Sequence, residues 1–265
     1  EQWRAALALL AGRRELLVDV VACTAALSAC ERAGRWAWAM ELLRAGLEAG
    51  LRPNVVTWSA AISACEKGHH WERALQLLAA ARGPGGGGSS VAFCAAISAC
   101  EKGAEWRLAL EVLSEAHRAG MPLDLVAHSA AASACEKGRQ WEAALALLWE
   151  LCNARVSSNV IMCSAVVSAC ENCRQWEWAL HLLQGMACAG PEPNETTYSA
   201  VVSACGHCGL WELALEVLGQ MTARGIRPQR VTQTALLSAL SAGSRWRSAL
   251  ALLTARHPAP ATPDP

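Results

Sequence analysis

Much that would mark an enzyme or a membrane protein is missing from this chain of 265 residues. It has no excess of either charge: 23 Lys and Arg balance 23 Asp and Glu, for a formal net charge of zero. A broad basic field for non-specific nucleic-acid binding is therefore absent, although a local basic stripe is still allowed. No apolar run reaches the roughly 18 residues a membrane helix needs. Neither His-Glu-x-x-His, Gly-x-Ser-x-Gly nor a pair of facing carboxylates occurs, so no catalytic residue is expected. Gly83 to Ser90 is glycine-rich but lacks the Gly-Lys-Ser/Thr ending of a phosphate-binding loop. No cofactor, metal or small-molecule substrate is expected. Glu1 stands where an initiator Met would, so any targeting peptide is expected upstream.

Cysteine, by contrast, is abundant. Six of the 13 (Cys30, Cys65, Cys100, Cys135, Cys170 and Cys205) hold one recurring position, where Leu240 stands in the last copy. A cysteine that leucine can replace reads as a small buried hydrophobe, which favours a reducing compartment over a disulfide framework. Cys170/Cys173 and Cys205/Cys208 have the internal spacing of zinc ligands. They recur at the same place in successive copies, however, and stacked helices lie about 8–10 Å apart, too far for four thiolates to share an ion. The scattered histidines (His69, His70, His117, His128, His181, His207 and His257) are expected on the solvated surface.

The recurrence has a ruler. Trp36, Trp71, Trp106, Trp141, Trp176, Trp211 and Trp246 follow one another at a spacing of 35 residues. A fixed period of that size signals a solenoid, in which one supersecondary unit is repeated and neighbours supply each other's core. Seven units are predicted, 20–54, 55–89, 90–124, 125–159, 160–194, 195–229 and 230–264, preceded by a partial one over 1–19 that supplies only a second helix. That half unit leaves apolar surface bare, and the chain reads as a piece of a longer array. Residues 83–90 are expected to form a flexible joint, and 258–265 a proline-rich tail without regular structure.

Within the unit from Val55, Trp58, Ile62 and Cys65 recur at helical spacing with Ala61 and Ala64 beside them, which predicts a helix over Val56–Glu66. Gly68 is expected to end it. Trp71, Ala74, Leu75 and Leu78 predict a second helix over Trp71–Ala81. Arg52-Pro53-Asn54 punctuates the join, with Asn54 placed to cap the next helix. The tryptophans are read as anchors between helices. The result is an all-α solenoid of antiparallel helix pairs.

The first helix has another face. Val56, Ser59, Ser63 and Glu66 share it, with Val21/Thr24, Val126/Ser129, Ile161/Ser164 and Val231/Thr234 as counterparts: an aliphatic residue, then a small hydroxyl one turn on. Beyond them stand Arg32, Lys67, Lys102 and Lys137, a row of cations that a phosphate backbone would favour. A solvated edge balanced by Glu31, Glu66, Glu101 and Glu136 explains the row equally well.

With period, helix pair and punctuation in place, the chain resembles the pentatricopeptide repeat family. The resemblance rests on Val55-Val56-Thr57-Trp58-Ser59-Ala60-Ala61-Ile62-Ser63-Ala64-Cys65, then Trp71-Glu72-Arg73-Ala74-Leu75, and the close Gly225-Ile226-Arg227-Pro228. Tetratricopeptide repeats differ, with a period of about 34 residues and another signature. The resemblance implies a right-handed superhelix that binds single-stranded RNA in chloroplasts or mitochondria, about one base per repeat. It implies base reading by the fifth and last residues of each unit: Thr24 with Asn54, Ser59 with Ser89, Cys94 with Asp124, Ser129 with Asn159, Ser164 with Asn194, Ser199 with Gln229 and Thr234 with Asp264. Second residues Val21, Val56, Val91, Val126, Ile161, Thr196 and Val231 would sandwich the bases; Thr196 departs from the aliphatic pattern.

Hydroxyl-plus-Asn units resemble the family's adenine-preferring combination, so a purine-rich, adenine-leaning site is expected. Organellar RNA processing, stabilisation, splicing, editing or translation would be the setting, with other RNA-processing proteins as partners. A protein-interaction scaffold is the competing reading. An RNA-reading surface requires Ser129 and Ser164 to face the ligand instead of packing inside the wall.

Overall fold

The computed structural model describes residues 19–83, 89–153 and 158–242, with nothing assigned to the side chains of Ala189 and Ala242. Thirteen helices and no strand occur among the described residues. We number them α1 (Val20–Arg32), α2 (Trp36–Glu48), α3 (Val55–Lys67), α4 (Trp71–Ala81), α5 (Ser90–Lys102), α6 (Trp106–Arg118), α7 (Leu125–Lys137), α8 (Trp141–Asn153), α9 (Val160–Asn172), α10 (Trp176–Ala189), α11 (Glu195–His207), α12 (Trp211–Ala223) and α13 (Arg230–Ala242). The partial unit before residue 19, most of the glycine-rich stretch, Trp246 and the proline-rich tail lie outside the described residues.

Contacts divide the chain into two compact units, Glu1–Gly138 and Arg139–Pro265. In the first, α1, α3, α5 and α7 pack directly on one another in sequence. Each of α2, α4 and α6 lies against the first helix of its own pair and the first helix of the next. The second unit repeats this scheme, with α9, α11 and α13 in one layer and α8, α10 and α12 in the other. Each unit is an all-α repeat array.

Composition explains the division of labour. First helices must touch two like neighbours and a second helix, so they are buried almost all round: Thr57, Ser59, Ala60, Ala61, Ile62, Ala64 and Cys65 in α3. Small side chains permit that close approach. Second helices bury a single stripe, Ala74, Leu77, Leu78 and Ala81 in α4. Trp71 and Leu75, which the sequence placed on the buried stripe, are half-buried. The repeated cysteines Cys30, Cys65, Cys100, Cys135, Cys170 and Cys205 are all fully buried.

Gly68 ends the first helix as expected, but not through a left-handed backbone. Its backbone is right-handed (φ −82°), and the left-handed residue is the next one, His69, at φ 60°. Glycine is needed here for space. A β-carbon on Gly68 would lie 2.5 Å from Cδ1 of Trp36 in the preceding pair, and Gly103 and Gly138 meet Trp71 and Trp106 in the same way. Trp36, Trp71 and Trp106 are therefore half-buried lids laid across the next pair's glycine, and not fully buried anchors. Their regular spacing and the glycine at 68, 103 and 138 are two sides of one contact.

His128 is another departure. It is buried at 4% exposure, in the fourth position of its pair, where Phe93 and Tyr198 are also buried. Its Nδ1 lies 3.0 Å from the Asp124 carbonyl oxygen, which satisfies the ring without solvent.

Candidate functional site

An α-helix starts with unpaired backbone N–H groups that a side-chain oxygen can satisfy. At Asn54, Ser89, Asp124, Asn159 and Asn194 the residue that does so is the last of a predicted unit. Asn54 Oδ1 accepts from Thr57 N at 2.8 Å, Ser89 Oγ from Ala92 N at 3.1 Å, and Asp124 Oδ1 from Ala127 N at 3.0 Å. In the second unit Asn159 Oδ1 accepts from Met162 N at 2.7 Å and Asn194 Oδ1 from Thr197 N at 2.9 Å. The capping bond fixes which end of each side chain remains for a ligand.

At Asn54 and Asn194 the oxygen is doubly engaged. Thr57 Oγ1 donates to Asn54 Oδ1 at 2.8 Å, and Thr197 Oγ1 donates to Asn194 Oδ1 at 2.8 Å. With that oxygen occupied, each carboxamide has its Nδ2–H donors left to offer. Asp124 instead keeps its second oxygen, an acceptor. An Asn cap and an Asp cap are thus electrically opposite to an incoming base edge.

The fifth residues are brought to these caps. Ser59 Oγ is 2.9 Å from Ser89 Oγ, Cys94 Sγ donates to Asp124 Oδ1 at 3.4 Å, and Ser164 Oγ donates to Asn194 Oδ1 at 3.4 Å. Thr24 reaches its cap through Thr57, the two hydroxyls lying 2.8 Å apart, and Ser164 has the same relation to Thr197 at 2.8 Å. Ser199 sits 2.5 Å from Thr232 Oγ1, while Gln229 Nε2 donates to Glu195 Oε2 at 2.6 Å. Ser129 Oγ donates to the Leu125 carbonyl at 2.8 Å and Thr234 Oγ1 to that of Arg230 at 2.7 Å. Asp264 lies outside the described residues.

Thr57, Thr197 and Thr232, each fully buried, were missed by the sequence reading. The available signal was a hydroxyl three residues after a capping residue, as in Asn54-x-x-Thr57.

The second residues are the exposed ones. Val21 is 76% exposed, Val56 60%, Val91 58% and Val126 61% in the first unit; Ile161 is 66% and Val231 68% in the second. Thr196 is exposed as well. Burying such an aliphatic side chain is worth about 1.5–3 kcal/mol, so folding alone does not favour this row. A single exposed valine needs no explanation, but the same exposure once per helix pair does.

Ser59 and Ser129 behave differently from the expectation of an open, hydroxyl-lined edge, whereas Thr24, Ser164 and Ser199 are half-buried and Thr234 is exposed. Ser59 is only 8% exposed and Ser129 only 7%. A serine within a helix satisfies its hydroxyl on the carbonyl four residues back, as Ser59 does on Val55 at 2.8 Å. In those two units the aliphatic side chain is the exposed residue, and the fifth residue stands behind it.

The cation row is engaged. Lys67, Lys102 and Lys137 pair with Glu31, Glu66 and Glu101 of the preceding helix pair at 2.8, 2.9 and 3.0 Å. Arg32 Nε donates to the Ser28 carbonyl at 3.3 Å. Farther along, burial pushes the Glu171 carboxyl above its ordinary range, opposed by a hydrogen bond from Ser203 and by His207.

The extra cysteines turn away from a shared ion: Cys173 Sγ donates to the Arg139 carbonyl at 3.1 Å and Cys208 Sγ to that of Arg174 at 3.6 Å. Among the described residues no three His, Cys, Asp or Glu side chains gather as metal ligands. No helix there is long and apolar enough to cross a membrane.

Two family models of this repeat match the sequence. The pentatricopeptide repeat domain matches residues 11–67 and 146–208, and the PPR repeat matches 56–80 and 196–226. The chain belongs to the pentatricopeptide repeat family. Among solved structures of such repeats, it is similar to PPR10 in complex with an 18-nt psaJ RNA element, with a TM-score of 0.75 and 25% identity, covering 97% of this chain and 41% of that one. PPR10 from maize matches with a TM-score of 0.62 and 22% identity, over 94% and 40%. The PPR domain of Arabidopsis thaliana protein-only RNase P 1 in complex with tRNA matches with 0.54 and 17%, over 60% and 84%. This pentatricopeptide repeat chain thus spans about two-fifths of the length of PPR10. No curated protein sequence matches it significantly.

Proposed function

We propose that the chain binds single-stranded RNA, about one base per helix pair, and acts as a non-enzymatic adaptor in organellar RNA processing, stability, splicing, editing or translation. The observation that carries this reading is the exposed aliphatic residue at the second position of six of the seven described first helices, near the capping side chains. An exposed valine offers an apolar face to a flat base, and the neighbouring cap offers one polar group to its edge. The complex of PPR10 with RNA supports the same assignment for a similar fold.

The caps also support the base preference. Asn54 and Asn194 present donors, which suits the ring-nitrogen acceptor on adenine's pairing edge. Asp124 presents an acceptor, which suits an N–H-bearing edge such as guanine's. The site is therefore purine-rich and leans toward adenine. Titrating the chain with adenine-rich and uracil-rich single strands tests this: tighter binding of the adenine-rich strand is expected, and equal affinity removes the preference. Changing Ser129→Asn with Asn159→Asp should move selection at one position toward uracil.

Phosphate contact by Lys67, Lys102 and Lys137 requires each ammonium to use the donors its glutamate leaves unused. Each such contact to a single strand contributes about 0.7 to the slope of log affinity against log salt. Replacing all three by Ala should flatten that slope; an unchanged slope would favour the protein-scaffold reading, in which the valine row grips a peptide.

A further inference from the structure

One helix pair, 195–229, has no base assigned to it. It carries Thr196 where the other pairs have an aliphatic second residue, and it ends in Gln229 where they end in Asn, Ser or Asp. A slot for a base is nonetheless built there. A cavity of about 260 Å³ lies at the second residues Thr196 and Val231, and Ser199 and Gln229, the fifth and last residues of the pair, line it too. So do two carboxylates, Glu171 and Glu195.

Glu195 fixes what Gln229 can offer. One carboxylate oxygen accepts from the Gln229 backbone N–H at 3.1 Å, and the other from Nε2 at 2.6 Å. A carboxylate only accepts, so the amide cannot turn its oxygen that way without losing the bond. Gln229 therefore keeps Oε1 and one Nε2–H for a ligand. Glu171, on the preceding first helix α9, is a further acceptor. The equivalent Glu31, Glu66 and Glu101 are answered by Lys67, Lys102 and Lys137, but His207 holds that place here. Burial pushes the Glu171 carboxyl up, against a hydrogen bond from Ser203 and the charge of His207. An added donor would favour its charged form.

These groups discriminate among bases. An amide N–H and oxygen can meet a matching acceptor and donor on any base, so Gln229 alone selects none. Beside that pair guanine carries a 2-amino donor, uracil and cytosine a carbonyl oxygen, and adenine a carbon-bound hydrogen. A carboxylate attracts the first, repels the second and gains nothing from the third. We infer that the 195–229 pair takes guanine, with Gln229 bonded to its N1–H and O6 and Glu171 accepting from its 2-amino group. Glu195 is the positioning residue that holds the Gln229 amide. Guanine can take this place only if RNA runs along the second residues, so the assignment rests on the RNA reading.

The test uses the full chain and short all-adenine strands in which one guanine, or one inosine, stands at each position in turn. Inosine is guanine without the 2-amino group. At one position guanine should bind about tenfold more tightly than adenine, and inosine should lose most of that gain. Glu171→Leu should remove the difference between guanine and inosine there. Glu195→Gln, which lets the Gln229 amide turn either way, should shrink the preference for guanine over adenine at the same position. Circular dichroism checks that both variants are folded, and the inosine comparison needs no variant. Binding of the all-adenine strand with no position that separates guanine from inosine would overturn this inference alone, as would a separation that survives Glu171→Leu. Failure to bind any strand would overturn the RNA reading and this inference together.

Discussion

A single methylene decides the register of this fold. Gly103 lies under Trp71 so closely that a β-carbon overlaps the indole at its base, which cannot swing aside. Gly103→Ala should therefore destabilise the chain by about 1–3 kcal/mol in a urea titration, the usual cost of overpacking. The neighbouring Ala104 has the opposite problem, holding φ at 57° where Gly34 and Gly209 stand in other pairs. Ala104→Gly should relieve about 1 kcal/mol of left-handed strain. Both residues were visible in the sequence, yet only the general presence of a turn was legible. Which of the two needed glycine depends on a tryptophan 32 residues away, and no local pattern carries that. Thr57 was overlooked for a similar reason: its hydroxyl matters through Asn54 and Thr24, and the latter belongs to another pair. Thr57→Val removes only the second bond on the Asn54 oxygen and leaves the backbone capping bond, so adenine selection at its position should be blunted slightly, while Thr57→Ser should preserve it.

Helices were far more legible than contacts, because apolar spacing and capping residues are local signals. The first helix observed over Val55–Lys67 differs from the expectation by one residue at each end, and the second, Trp71–Ala81, by none. The repeated cysteine on the first helices was read as a buried hydrophobe, and it is one. Burial raises these thiols from an ordinary value of about 9 to about 11 at Cys65, Cys135 and Cys205 and about 12 at Cys100 and Cys170. The folded state therefore keeps protons that the unfolded chain releases first. Stability should fall as pH rises above about 9, through the window that ends at the folded values. Urea midpoints at about pH 8 and about pH 10 check this, and Cys65→Ala should lessen the difference. A thiol-alkylating reagent near neutral pH should modify exposed Cys152 and Cys188 ahead of the buried set. The glutamate–lysine pairs act between helices too, but at partly exposed sites each contributes about 0.2–1 kcal/mol. Their larger effect should appear in the salt dependence of RNA binding.

Across the molecule, repetition turns a weak local feature into a surface. One exposed valine and one capped asparagine would bind nothing; within each compact unit, successive helix pairs offer a strand one second residue apiece. The sequence revealed the pitch and the residue types of that surface. It did not reveal that Ser59 and Ser129 are drawn in, because their burial depends on the neighbouring helices that cover them. The exposed row therefore bears the whole account. Substituting Asp for Val56, Val91 and Val126 together and measuring affinity for an adenine-rich single strand tests it most directly. These side chains are 58–61% exposed, so the thermal midpoint should hardly change while RNA affinity falls about tenfold or more. Undiminished RNA binding by that folded variant would contradict the account.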